Sequence, residues 1–425
     1  MSNGYWSAML SNKTAIVIGG GIAGCSSAYA LAQRGIQVTL LERHANLASE
    51  ASGNPQAMLY PRLSGDDTAS QFALMSYLYS LELLKTLELT PADFQLCGML
   101  QLGFNPRELA RIEKVAKHFA GENLLRYVNA KEASLLAGLT LSHDAIYFPD
   151  AAWVNPQVLC QRLSHHKNIS IKTLTNANKI LKNKGLFEVY VDQKLVKAAD
   201  IIIIANANEA NNMGLALVSK TQAVRGQVSI LKASDISSKL KLIVCSDGYL
   251  SPATNGQHCL GATFSTDSTD LTIDELGIDE LDHEANLARL KCFSLPLYEH
   301  LKDNICAGRV SLRCTSADYF PLVGELLESS AVIAKPPRPN ASTATLPWLT
   351  GLYINIAHGS RGFTSAPLCA ELLASLICGD SLPIPAELAG LLNPNRFLLR
   401  KLGLKKLART LATSNTRGML QPISS

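Results

Sequence analysis

The chain has 425 residues, 47% of them hydrophobic and 17% charged, with a net charge of +4. That length exceeds one ordinary core, so two domains are expected, and so small a charge permits an anionic partner without demanding one. Ten cysteines scattered singly, with no CxxC pair and no Cys/His cluster at metal-ligand spacing, argue against structural zinc, iron–sulfur clusters and a disulfide framework, leaving most as buried small hydrophobes.

An apolar strand over residues 15–18 runs into Gly19, Gly21 and Gly24 at GxGxxG spacing. A helix to Arg34, a stop at Gly35, a second strand over 36–41 and Glu42 follow. These are the parts of the βαβ dinucleotide fingerprint, in register. Gly19 permits the tight turn, Gly21 removes a side chain that would keep a pyrophosphate off the backbone amides, and Gly24 lets helix and strand pack closely. The helix start at Ile22 and Ala23 offers free N–H groups and a positive dipole end to the phosphates. Glu42 suits a ribose 2′-hydroxyl and would repel a 2′-phosphate; Arg43 beside it is placed in the same site. The uncharged run 15–32 is long enough to cross a bilayer, but four glycines, Ser26, Ser27 and Tyr29 interrupt it. A signal peptide would need a basic start, and residues 1–12 are neutral. A cytoplasmic protein with no membrane partner is expected.

Residues 49–61 are small and turn-rich. Ala51, Ser52, Gly53, Asn54 and Gln56 suit backbone passing close to a bulky ligand, a plain surface loop being the alternative. Helical periodicity covers 68–90, 107–119 and 130–137, with a strand over 98–104; Arg107, Arg111, Lys114 and Lys117 read as a solvated face. Trp153-Val154-Asn155-Pro156 opens a helix, and strands are expected at 169–174 and 186–191. The β-branched run from Ala199 to Asn208 is a parallel strand buried on both faces, whose far end, at Ala205, lies at the ligand edge of the sheet. Residues 224–323 alternate as strands of an antiparallel sheet, interrupted by a helix over 279–293, and the proline-rich 335–347 is a loop.

A strand over 352–357 then enters His358 to Pro367, read as a turn with Pro367 opening an apolar helix that runs to Cys378. This second positive helix end brings Gly359, Ser360, Arg361, Gly362, Phe363 and Thr364 to the cofactor, with His358 as turn structure. A cofactor touched by the fingerprint, the middle strand and this turn must be long, which favours FAD over NAD, and hydride removal from a substrate C–H is its natural chemistry. The expected fold is α/β: a Rossmann-like FAD-binding domain (1–75, 146–214, 348–425) with a second, antiparallel-sheet substrate domain (76–145, 215–347). No metal site is expected.

With Glu42, the Gly19–Gly24 fingerprint is joined by Tyr249-Leu250-Ser251-Pro252, Gly261-Ala262-Thr263, Arg313-Cys314-Thr315 with Asp318, Pro321 and Gly324, and His358-Gly359-Ser360 with Ala366-Pro367. Together they resemble the glycine and D-amino-acid oxidase superfamily over most of the chain. Ala51 to Gln56, Trp153 to Pro156, Arg225-Gly226-Gln227-Val228, Gly359 to Gly362 and Asn393-Pro394-Asn395-Arg396 further resemble the FAD-dependent oxidoreductase half of the bifunctional tRNA-modifying MnmC family. The resemblance implies oxidation of the glycine-like arm of 5-carboxymethylaminomethyl(-2-thio)uridine at the tRNA wobble position, leaving 5-aminomethyl(-2-thio)uridine and glyoxylate. It implies Arg313 as the partner of the arm's carboxylate and Tyr249 as a substrate-side tyrosine, with Arg361 at flavin, substrate or phosphate. Only about 13 residues precede the first strand, so the later methylation would fall to a separate methyltransferase or to a part absent here.

Two other functions stay open: an oxidase of free glycine or another small amine, and a non-catalytic flavin-fold module binding tRNA or a partner. From Leu388 to the C-terminus there is no acid, while Arg396, Arg400, Lys401, Lys405, Lys406, Arg409 and Arg417 supply positive charge. Their spacing suggests one basic helical stripe suited to tRNA phosphates, with Leu398, Leu399, Leu402 and Leu407 elsewhere on the surface. A solvated helix docked on the flavin domain and a membrane-surface helix are the alternatives.

Overall fold

The computed structural model describes residues 13–214, 221–266 and 276–411, so Arg417 lies outside the described residues. Two compact units emerge: Met1–Ser52, Cys160–Gln222 and Arg313–Ser425 form the first, Gly53–Leu159 and Ala223–Leu312 the second. These limits differ from the sequence expectation, and strand pairing is the reason. Ala57–Leu59 pairs with Ala152–Val154, which holds both in the second unit, whereas Leu322–Leu327 pairs antiparallel with Trp348–Ile356, which holds it in the first.

The first unit is built on a six-stranded sheet in the order Leu322–Leu327, Trp348–Ile356, Ile201–Ile204, Thr14–Ile18, Gln37–Leu41, Ile169–Lys172. The last five strands are mutually parallel, with Ala15 opposite both Val38 and Ile201. The four isoleucines of Ile201–Ile204 are 0–3% exposed, as a strand covered on both faces requires. Helix Ile22–Gln33 follows the first strand and ends before Gly35, whose φ is +84°. Helix Gly362–Cys378 lies beside it, tied by Arg34 to Glu371 at 2.6 Å and to Asp380 at 2.8 Å. A three-stranded antiparallel sheet, Lys179–Asn183, Leu186–Val191 and Lys194–Ala199, adds Ile180, Phe187 and Val189 to the same core.

The second unit centres on an eight-stranded sheet. It is antiparallel through Thr221–Lys232, Gln257–Gly261, Tyr249–Leu250 and Ile243–Cys245, but Ile243–Cys245 then pairs parallel with Met99–Leu102. The sheet is therefore mixed rather than purely antiparallel. Strands so far apart in sequence are not tied by a hairpin, and alternation alone carries no direction. Helix Thr68–Thr86 is capped by Asp67, Pro106–His118 by Asn105 and Ala130–Ala137 by Asn129. Arg111, read as solvated, turns inward to the Leu63 carbonyl at 2.5 Å and to Glu108 at 2.9 Å. Arg225 and Gln227 are buried and anchor helix Glu280–Phe293, Arg225 through Asp282 and Gln227 through the Asp279 carbonyl. All ten cysteines are free, six of them buried. No helix among the described residues is long and apolar enough to cross a membrane.

Candidate functional site

At the end of the first strand the chain turns on Gly19, whose φ of +107° favours glycine and where a Cβ would lie 2.7 Å from the Ala205 carbonyl oxygen. Gly24 is tighter: a Cβ there would stand 1.8 Å from the Gly19 oxygen, so helix and strand touch backbone to backbone. Gly21 differs from both. Its φ is −77°, and an added Cβ would meet only Ser52 Oγ, at 3.1 Å, leaving the space in front of the helix start open.

The amides of that first turn cannot be satisfied within the helix. Gly20 N–H donates to Glu42 Oε2 at 2.7 Å and Ile22 N–H to Ser52 Oγ at 3.0 Å, so both are engaged by protein, while the Ala23 amide, in the same first turn, has no intrahelical acceptor. Glu42 is 6% exposed and also accepts from the His44 amide at 2.7 Å; a carboxylate has further lone-pair positions for a ribose hydroxyl. Arg43 is held by Glu50 at 2.5 Å and Glu209 at 3.8 Å, which fixes it in the loop after the second strand. Beyond Ala205, the buried Oδ1 of Asn206 has no hydrogen-bond partner among the described residues. An orphaned acceptor beside Gly19, a helix start with unused amides and a nearby carboxylate fit the pyrophosphate and ribose of a dinucleotide.

The C-terminal segment differs from expectation. Gly359–Arg361 is a 3₁₀ turn and the helix begins at Gly362, so Pro367 sits inside it and Phe363 and Thr364 belong to its first turn. A Cβ on Gly362 would lie 3.2 Å from Ile22 Cγ2, which places this helix start against the fingerprint helix start. Two positive helix ends thus converge within the first unit. Thr315 bridges to His358, so Arg313, half-buried two residues earlier on strand Ile305–Ser316, shares the edge that carries Gly359, Ser360 and Arg361.

His358 joins this arrangement as structure. Its Nδ1 meets Ser365 Oγ at 2.9 Å and its Nε2 meets Asn355 Oδ1 at 3.0 Å, while Asn355 Nδ2 donates to Ser27 Oγ at 3.0 Å. Burial pushes its pKa down to about 3. Because that lies below the unfolded value near 6.5, the stability it carries is present above about pH 6.5 and is lost as pH falls toward 3. Between pH 7 and 4 the urea midpoint of His358→Asn should fall less steeply than that of the wild type. An unchanged slope would mean the imidazole does not hold this depressed pKa.

In the second unit, Tyr249 is half-buried with its hydroxyl 3.5 Å from Cys259 Sγ, whose pKa burial pushes up to about 11. Gly53, Asn54 and Gln56 line a cavity of about 260 Å³ together with Trp153, Asn155 and Gln257. Gln56 is 2% exposed and is held by the Ser251 hydroxyl and the Pro252 carbonyl. Asn54 accepts from Arg309 at 3.0 Å. Sequence reasoning passed over Arg309; its one signal was a second cation on the strand that carries Arg313. Ala51 is exposed and Ser52 is spent on the Ile22 amide.

A profile described as FAD dependent oxidoreductase matches residues 14–376. Curated relatives include the tRNA 5-methylaminomethyl-2-thiouridine biosynthesis bifunctional protein MnmC of Methylobacillus flagellatus, 43% identical over 400 residues, which span 94% of this chain and 61% of that protein. The protein of the same name from Chromobacterium violaceum is 39% identical over 93% of this chain and 61% of its own length. The chain thus spans about three fifths of the relatives it matches. Among solved structures, glycine oxidase from Geobacillus kaustophilus superposes with a TM-score of 0.72 at 18% identity, over 91% of this chain and 99% of that one. L-proline dehydrogenase from P. horikoshii gives 0.71 at 19%, over 91% and 97%. At such identities they establish the fold alone. With the profile covering most of its length, the chain belongs to the FAD-dependent oxidoreductase family.

Proposed function

We propose that this oxidoreductase removes the carboxymethyl group from 5-carboxymethylaminomethyl(-2-thio)uridine at the tRNA wobble position, giving 5-aminomethyl(-2-thio)uridine and glyoxylate. The observation that carries this reading is the 43% identity to a protein named for that uridine pathway, extending over 94% of the chain. FAD, when bound, would supply a hydride acceptor for the arm's C–H next to nitrogen. Water then adds to the resulting C=N bond, which parts into the primary amine and glyoxylate.

Arg313 would hold the arm's carboxylate in a bidentate pair and so orient the reacting C–H, a task for which a planar guanidinium is suited. Arg361, exposed in the turn before the second helix start, would add positive charge at the same edge. Tyr249 would be a substrate-side tyrosine. Gly19, Gly21, Ala23, Gly24, Glu42 and Gly359 to Thr364 would hold FAD, and Gly53, Asn54 and Gln56 are further candidates for binding it. The methyl group of the 5-methylaminomethyl-2-thiouridine in the relatives' name would come from a methyltransferase, in another protein or in a part absent here.

Mass analysis of wobble nucleosides after incubation with modified tRNA tests the reading; the aminomethyl nucleoside and glyoxylate should appear together. Oxidation of free glycine with untouched tRNA would favour a small-amine oxidase, and no turnover of either would favour a binding module. Arg313→Ala should keep its FAD and lose about 2–4 kcal/mol of transition-state stabilisation, the scale of a charge-assisted anchor in a dry site. A kcat/KM close to the wild-type value would return Arg313 to a structural role.

A further inference from the structure

The basic C-terminal segment is not one stripe. Helices Arg396–Lys401 and Lys405–Thr410 are separated by Gly403 at φ +76°, and Leu398, Leu399, Leu404, Leu407 and Leu411 are 0–6% exposed in a satellite core with Leu327, Val332 and Leu346. Arg396 is buried and, with Arg400, is taken up by Asp318. The remaining cations, Lys401, Lys405, Lys406 and Arg409, are exposed, and the side chain of none has an ion pair or hydrogen bond among the described residues. The acids on the elements packed around them are Asp318, already paired, Glu325, 5% exposed, and Glu328 and Glu387 at the surface.

A second observation lies on the turn that pairs with Arg400. Tyr319 follows Asp318, is 76% exposed and holds φ +61°, a left-handed conformation that bulky residues rarely adopt. Asp318 fixes that turn from both sides, accepting from Ser316 Oγ at 3.1 Å and from Arg396 Nη2 at 2.7 Å. A large aromatic ring is thus presented to solvent on a rigid turn, one residue from the carboxylate that pairs with Arg400. An exposed aromatic on the turn that pairs with Arg400, together with unpaired cations on the helix of Arg400 and on the one after it, supplies what single-stranded nucleic acid requires: a face for a base and charges for the backbone. A membrane surface is disfavoured, because the leucines of both helices are already spent on the satellite core and none remains to enter lipid.

We propose that Lys401, Lys405, Lys406 and Arg409 hold tRNA phosphates while an unpaired base stacks on Tyr319, a surface that rests on the reading of tRNA as substrate. The test uses the FAD-loaded full chain and an unmodified tRNA transcript, with affinity measured across salt concentrations. Replacing the four cations with Gln should flatten the log–log salt dependence by about 3 units, at roughly 0.7–0.9 per lost phosphate contact. Tyr319→Gly relieves the positive φ, so its thermal midpoint should hold or rise while affinity falls at least about fivefold with the salt slope unchanged. Wild-type slope and affinity in both variants would overturn the proposal, as would cation-dependent binding to phosphatidylglycerol vesicles in place of tRNA. The transcript carries no oxidisable arm, so the two readings fail separately. Binding through these residues without oxidation of modified tRNA would remove the activity alone, and oxidation with variants that bind as wild type would remove the surface alone.

Discussion

Gly21→Val should give a folded, colourless protein, whereas Gly24→Ala should weaken the fold itself. The two glycines stand three residues apart in one motif, yet the space around them differs. At Gly21 the backbone is extended, a conformation valine adopts without strain, and an added Cβ meets only the end of the Ser52 side chain at 3.1 Å. The valine methyls would then fill the volume before the helix start, where the dinucleotide pyrophosphate must approach the amides. At Gly24 a Cβ would stand 1.8 Å from a carbonyl oxygen of the preceding turn, so strand and helix must separate before even alanine fits. A backbone displacement of that kind costs on the order of 3 kcal/mol or more. Flavin absorbance per chain and the urea midpoint read the two effects independently. Stoichiometric FAD in Gly21→Val would show that the pyrophosphate does not sit on these amides, and a wild-type midpoint for Gly24→Ala would contradict the packing.

The fingerprint was readable from sequence because its constraints are local: glycine spacing, a charge-free helix and an apolar strand on each side all fall within thirty residues. The same holds for Ile201–Ile204, whose unbroken β-branched run can only be a doubly covered strand. The helix start at Gly362 was misplaced because glycine and serine argue for a turn, and proline for a first helical position. Here helix–helix contact with Ile22 selects a glycine inside the first turn, and Pro367, at the sixth position, simply leaves Phe363 without its intrahelical donor. The C-terminal stripe failed for a different reason. A helical wheel assumes one continuous phase, and the left-handed residue Gly403 resets it, turning Leu398, Leu399 and Leu407 inward. Contacts such as Arg309 with Asn54, 255 residues apart, have no periodic signature at all.

Arg396→Met is expected to destabilise the protein by about 3–5 kcal/mol, the scale for removing one partner of a buried ion pair. The guanidinium is 0% exposed and donates to Asp318 through Nε at 3.0 Å and Nη2 at 2.7 Å, and to the carbonyls of Pro321, Leu392, Asn393 and Phe320. Methionine fills the stem's volume but takes a donor from the Pro321 and Leu392 carbonyls, while Phe320 keeps Ser316 Oγ and Asn393 keeps the backbone amide of residue 396, and it leaves Arg400 as the one cation on Asp318 among the described residues. The pH dependence should report the same pair. Burial by itself would raise the Asp318 pKa, but the hydrogen bond and charge of Arg396 outweigh it and hold the carboxyl below its ordinary value. Its contribution is therefore present above the unfolded value near 3.9 and is lost as pH falls below it, through the folded pKa. Arg396→Met should lose most of this acid limb, while Asp318→Asn in that background should recover part of the stability by removing a half-buried charge now short of a partner. A loss below about 1 kcal/mol at pH 7, together with an unaltered acid limb, would show that the ion pair does not hold the C-terminal helices to the sheet.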